Sequence, residues 1–67
     1  MINSKLLNSK MKESGFKRKY IADQLNLSYQ GLRDKITGKR EFVVSEVKTL
    51  KDILHLNDQA FNDIFFA

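Results

Sequence analysis

Sixty-seven residues make one domain near the lower limit for unaided folding, because a chain of that size buries only about 60% of the surface it exposes when unfolded. That leaves no room for both a core and an enclosed active-site cleft, and the absence of cysteine excludes disulfides, thiolate metal sites and thiol redox chemistry. The net charge of +4 is unevenly spread: residues 1–40 hold ten Lys/Arg against three acids and residues 41–67 hold two against five, which suggests a basic face for a polyanion beside a separate acidic region.

Met1-Ile2-Asn3-Ser4-Lys5 lead into no long apolar stretch, so neither a signal peptide nor a membrane span is expected and a cytoplasmic protein is the simplest reading. Apolar residues recur at spacings of three and four and no proline interrupts them, which predicts helices throughout. No repeat, low-complexity segment or linker is evident. The first helix is expected from about Ser4 to Ser14, with Leu7 and Met11 on one stripe and Leu6 beside them. Gly15 suits the left-handed residue that closes it, since glycine lacks the Cβ that makes that conformation costly. The second helix is expected over about Lys17 to Leu25, with Ile21, Ala22 and Leu25 turned inward. Asn26 is the best non-glycine for a left-handed cap, Leu27 plugs the turn into the core, and Ser28 caps the next helix.

That third helix is expected from about Tyr29 to Thr37, ending at Gly38, with Leu32 and Ile36 four apart as its buried seam. A loop from Lys39 to Val44 then leads to Ser45 as the next cap. Val47, Leu50, Ile53 and Leu54 mark a fourth helix. Asn57 or Asp58 starts a short fifth, on which Phe61, Ile64 and Phe65 fall at helical spacing. The expected fold is all-α: a compact bundle of about five short helices forming a single domain over residues 1–67.

Residues 15 to 38 thus describe two short amphipathic helices joined by a tight turn, the layout of a helix-turn-helix in which one helix braces against a duplex and the next lies in its major groove. Gly15, Ile21-Ala22, Leu25, Leu27-Ser28, Leu32 and Gly38 fall in register with the pattern of the phage Cro and repressor DNA-binding domains. The likeness continues through Leu50, Leu56 and Ile64-Phe65, so the chain resembles the Cro/repressor-like (XRE-type) family over essentially its whole length. Ser28 through Phe42 and the Ile64-Phe65-Phe66 ending look most like small stand-alone phage regulators from Gram-positive hosts. The resemblance implies a lambda repressor-like domain acting as a sequence-specific transcriptional regulator. Two positions depart from the family: Gly31 stands where Thr or Ser is usual, and Arg18 where Gln is common.

The resemblance places base contacts on the exposed face at the start of the third helix, here Tyr29, Gln30, Arg33 and Asp34. Gln30 can present a donor and an acceptor to adenine, and Arg33 can fork onto guanine O6 and N7. Tyr29 can meet a thymine methyl or a phosphate, while Asp34 is expected to orient Arg33 or repel wrong sequences. Backbone contacts are expected from Lys17, Arg18 and Lys19 at the start of the second helix, from Ser28, from the Thr37 hydroxyl, and from Lys39 and Arg40 beyond Gly38. One domain offers few base contacts, so a homodimer on a two-fold operator is expected, with Phe42, Val43, Phe61 and Phe66 as interface candidates. His55 is the only histidine, near the end of the fourth helix, and has no second ligand or nucleophile beside it in the sequence. No enzyme, metal, cofactor or membrane partner is expected. The rival reading is an antirepressor that keeps the fold and binds another repressor protein through its acidic half and aromatic tail.

Overall fold

Helical spacing without proline yields five helices in a computed structural model that describes residues 2–66; Met1 and Ala67, the two ends of the expected domain, lie outside the described residues. They are α1 (Ser4–Ser14), α2 (Arg18–Gln24), α3 (Tyr29–Ile36), α4 (Val44–Ile53) and α5 (Asp58–Phe65). The all-α expectation holds, and each predicted helix is present to within a residue or two at its ends. α1 packs against both α3 and α5, and α2 packs against α3. Between them lies one core of Leu7, Met11, Ile21, Ala22, Leu25, Leu32, Ile36, Leu50, Leu54, Leu56 and Ile64. Leu7, Ile21, Leu50 and Ile64 are entirely shielded from solvent. Each such side chain stabilises the fold by roughly 1.5–3 kcal/mol relative to exposure. The amide of Asn3 also donates to the carbonyl of Ile64 at 2.7 Å, tying the start of α1 to the end of α5.

The turn between α2 and α3 closes as its sequence predicts. Asn26 adopts a left-handed φ of 58°. Its amide donates to Asp23 and the Leu27 amide reaches back to Ala22 at 2.9 Å, the double closure of a Schellman cap in which the following apolar residue folds over the helix end. Ser28 Oγ then accepts from the Gly31 amide at 2.9 Å and starts α3. Removing that acceptor by Ser28→Ala should cost about 0.5–2 kcal/mol. Thermal unfolding would register this as a drop of roughly 4–8 °C per kcal/mol in a domain of this size.

The same construction recurs between α4 and α5, although no repeat is evident in the sequence. His55 is left-handed with φ 52°, and the Leu56 amide reaches back to Lys51 at 3.0 Å. Asn57 Oδ1 accepts from Ala60 at 2.8 Å. On the helix that follows each turn, a glutamine amide donates to an aspartate four residues on, Gln30 to Asp34 at 2.9 Å and Gln59 to Asp63 at 3.0 Å. His55 is therefore a turn residue beyond the end of α4, and the molecule contains two turn-and-helix units of one design.

The start of α4 departs from expectation. Ser45 is not its cap: the helix begins at Val44 and Val43 occupies the cap position. Valine has no side-chain acceptor, so the carboxylate of Glu46, three residues on, supplies the fixing bond by accepting from the Val43 amide at 3.0 Å. The same carboxylate is nearly buried and grips Lys35 of α3, whose Nζ lies 2.6 and 2.8 Å from its two oxygens. Lys35 is only 5% exposed, so it belongs to the interior and adds nothing to the basic surface. The pair pins the C-terminal half of α3 against the first turn of α4.

Candidate nucleic-acid interface

Leu32 and Ile36 are buried and Lys35 is locked to Glu46, so α3 is held on one side and free on the other. The free side carries Tyr29, Gln30 and Arg33, all exposed, and Asp34, which is half-buried. Tyr29, at 57% exposure, packs too little to be a core aromatic. Asp34 was expected to orient Arg33; its carboxylate instead accepts from Gln30 Nε2. The reason is spacing: residues four apart on a helix stand one above the other, whereas 33 and 34 diverge. Gln30 spends one of its two amide hydrogens on Asp34 and keeps the second hydrogen and its oxygen, the pair that a bidentate adenine contact requires.

The expected backbone contacts divide into free and engaged groups. Lys17, Lys19, Ser28, Thr37, Lys39 and Arg40 are exposed and Arg18 is half-buried. Arg18 donates to Asn8 Oδ1 on α1 at 2.8 Å, a partner that sequence reasoning missed because it lies one helix earlier. Lys17 is the cap residue of α2 and makes no side-chain cap bond, leaving the first-turn amides of that helix without a side-chain partner. Thr37 departs from expectation: its hydroxyl donates to the carbonyls of Arg33 and Asp34, so its proton is spent inside α3 and the side chain offers a phosphate only an oxygen. The Ser28 oxygen accepts from Gly31 and leaves the hydroxyl hydrogen for an outside acceptor.

Gly31 has a local reason. A Cβ there would sit 3.1 Å from Ser28 Oγ and 3.8 Å from the Leu27 side chain. Glycine lets the capping hydroxyl close onto the helix start without being pushed aside.

Electrostatics sets the two turn-and-helix units apart. Among the described residues the ion pairs are Lys10–Glu13, Lys35–Glu46 and Lys51–Asp58. Lys17, Arg18, Lys19, Arg33, Lys39 and Arg40 take part in none of them. Six uncompensated cations therefore flank or stand on α3. On α5 the equivalent outward positions are Asp58, Gln59, Asn62 and Asp63, which would repel a polyanion.

The four interface candidates lie around a groove that begins where α3 ends, at Thr37, Gly38 and Arg40. A groove of about 520 Å³ opens between the 38–44 segment, α4 and α5, and Phe42, Phe61 and Phe66 line it. Val43 stands exposed nearby. Phe42 meets Phe65 edge-on at 6.0 Å and Phe61 stacks beside Phe65 at 5.3 Å. Those two rings are part of the core wall, whereas Phe66 is 73% exposed. Val44, the first residue of α4, is 72% exposed.

Among the described residues no three His, Cys, Asp or Glu cluster as metal ligands, and no helix is long and apolar enough to cross a membrane. No family model, no curated protein and no solved structure matches the chain.

Proposed function

We propose that this chain is a sequence-specific DNA-binding transcriptional regulator of the Cro-like repressor type. In this reading α2 and α3 form the helix-turn-helix, and α3 reads operator DNA in the major groove. One observation carries it: six cations with no ion-pair partner among the described residues flank or stand on α3, while the equally built α5 carries acids on its outward face instead. Lys17, Arg18, Lys19, Lys39 and Arg40 hold phosphates on either side, and Tyr29, Gln30, Arg33 and Asp34 face the bases. The protein acts by occupancy, excluding polymerase from a promoter in the cytoplasm, and performs no catalysis.

A body of 28 × 24 × 20 Å is shorter than the roughly 34 Å of one duplex turn, so one copy covers one half-site. Two copies then bind as a homodimer on a palindromic operator, joined through the face of Phe42, Val43, Phe61 and Phe66. Exposed Val43 and Phe66 beside a groove walled by the half-buried Phe42 and Phe61 suit such a contact.

Selection from a pool of random duplexes tests the reading. Wild-type protein should enrich a two-fold motif, and Arg33→Ala should bind a broader set, losing about 1–3 kcal/mol of discrimination at one base pair of each half-site. Recovery of no motif, together with tight binding to a repressor protein, would replace this reading with the antirepressor one.

A further inference from the structure

Two routes connect the reading helix to the joining face. Phe61 and Phe66 stand on or just beyond α5, which packs on α1, and α1 packs in turn on α3. Phe42 and Val43 belong instead to the 37–43 segment that leads from the end of α3 to α4. That segment turns at Gly38, with φ 90°, and its Arg40 amide returns to the Asp34 carbonyl at 3.2 Å. Its far end is fixed by one carboxylate oxygen. Glu46 Oε1 accepts from the Val43 amide at 3.0 Å and lies 2.6 Å from Lys35 Nζ on α3, while Oε2 lies 2.8 Å from the same Nζ. Lys35 and Glu46 are both buried, so little water competes for these bonds.

Stability alone does not call for charges here. Replacing a buried ion pair by apolar groups of similar volume is often neutral or favourable, because two ions must be stripped of water. What the pair adds is direction. An ammonium held by both oxygens of one carboxylate has a single seat, whereas a packed methionine can shift among rotamers. Helix and segment share that seat, so α3 and the Phe42–Val43 edge of the joining face move as one piece.

We propose that Lys35 and Glu46 are positioning residues that set the spacing between operator half-sites, by holding each reading helix at a fixed offset from the face that joins the two copies. This role rests on the homodimeric operator reading, whereas the rigidity beneath it does not. One base pair added between half-sites moves them about 3.4 Å apart and turns them by about 35°, since about 10–10.5 base pairs fill a turn of roughly 34–36 Å. That exceeds the roughly 0.5 Å and 10–20° within which a binding constellation has to be held. A protomer stiff through Glu46 cannot follow such a shift. Two buried residues that face no base thereby choose among operators.

Two variants test the role, each compared with the parent under conditions where urea unfolding shows it folded. K35M/E46Q removes both charges. Glu46→Asp keeps its charge but withdraws the carboxylate by one methylene, so it cannot serve both partners. The duplexes carry the selected half-site twice, at the preferred spacing or one base pair to either side. Off the preferred spacing the parent should lose about 10–100-fold in affinity, the scale of one mismatched base pair. Both variants should lose about threefold or less, yet bind a single half-site as the parent does; a merely structural pair would weaken single and double sites alike. Without DNA, amide residual dipolar couplings of α3 and α4 should fit one common orientation in the parent and require reduced order for α3 in the variants. Equal spacing preference in parent and variants, with the motif still bound, would overturn the role. No motif at all, with α3 loosened in the variants, would remove the operator reading and keep the rigid joint.

Discussion

Replacing Lys35 alone by methionine should destabilise the protein by about 3–5 kcal/mol, because it leaves the nearly buried Glu46 carboxylate without its counter-charge. A domain of this length has a total stability of roughly 3–10 kcal/mol at 0.05–0.15 kcal/mol per residue, so the single change removes between about a third and all of it. The double variant K35M/E46Q should recover most of the loss. Methionine follows the path of the lysine stem, and the glutamine carbonyl still accepts from the Val43 amide that starts α4. Urea unfolding of parent, both single variants and the double variant completes the cycle. Equal midpoints for parent and K35M would show that the ion pair contributes nothing. The cycle also bears on geometry, since this pair fixes the second half of α3 to the helix behind it. A base-reading helix needs such a brace to arrive at one angle.

Salt should act on duplex binding with a larger effect still. Each neutralised phosphate contributes about −0.9 to the slope of log K against log salt. The five proposed backbone cations Lys17, Arg18, Lys19, Lys39 and Arg40 therefore give a slope of about −4.5 per protomer. Between 50 and 200 mM salt that is a loss on the order of 10²–10³-fold for one half-site, and about 10⁵-fold for a symmetric dimer. Mobility-shift titrations across that range read the slope directly. A slope near zero would rule out the proposed phosphate contacts, however tightly the complex formed.

The parts of this structure that are legible in the sequence are those with short-range causes. Gly15, Asn26, Ser28, Gly38 and Asn57 each punctuate a helix through a bond or a left-handed φ within a few residues, and all five stand where the pattern puts them. The apolar seams follow from a period that one dimension already displays. Lys35 is the clearest failure. It looks like one more surface cation because its partner Glu46 lies eleven positions away on another helix. The Arg18–Asn8 bond, ten positions apart, was hidden for the same reason. Ser45 looks like a cap because serine caps helices well, but the Glu46 carboxylate one position later fixes the helix start earlier, at Val43. The duplicated turn does not stand out as a repeat because residues 25–36 and 54–65 share only Leu25/Leu54, Leu27/Leu56, Gln30/Gln59 and Asp34/Asp63.

The bond from the Asn3 amide to the Ile64 carbonyl fastens the first helix to the last. This bond couples the opening of α1 to that of α5. Separating α1 from α5 would break this link and take Leu7 and Ile64 out of the interior together.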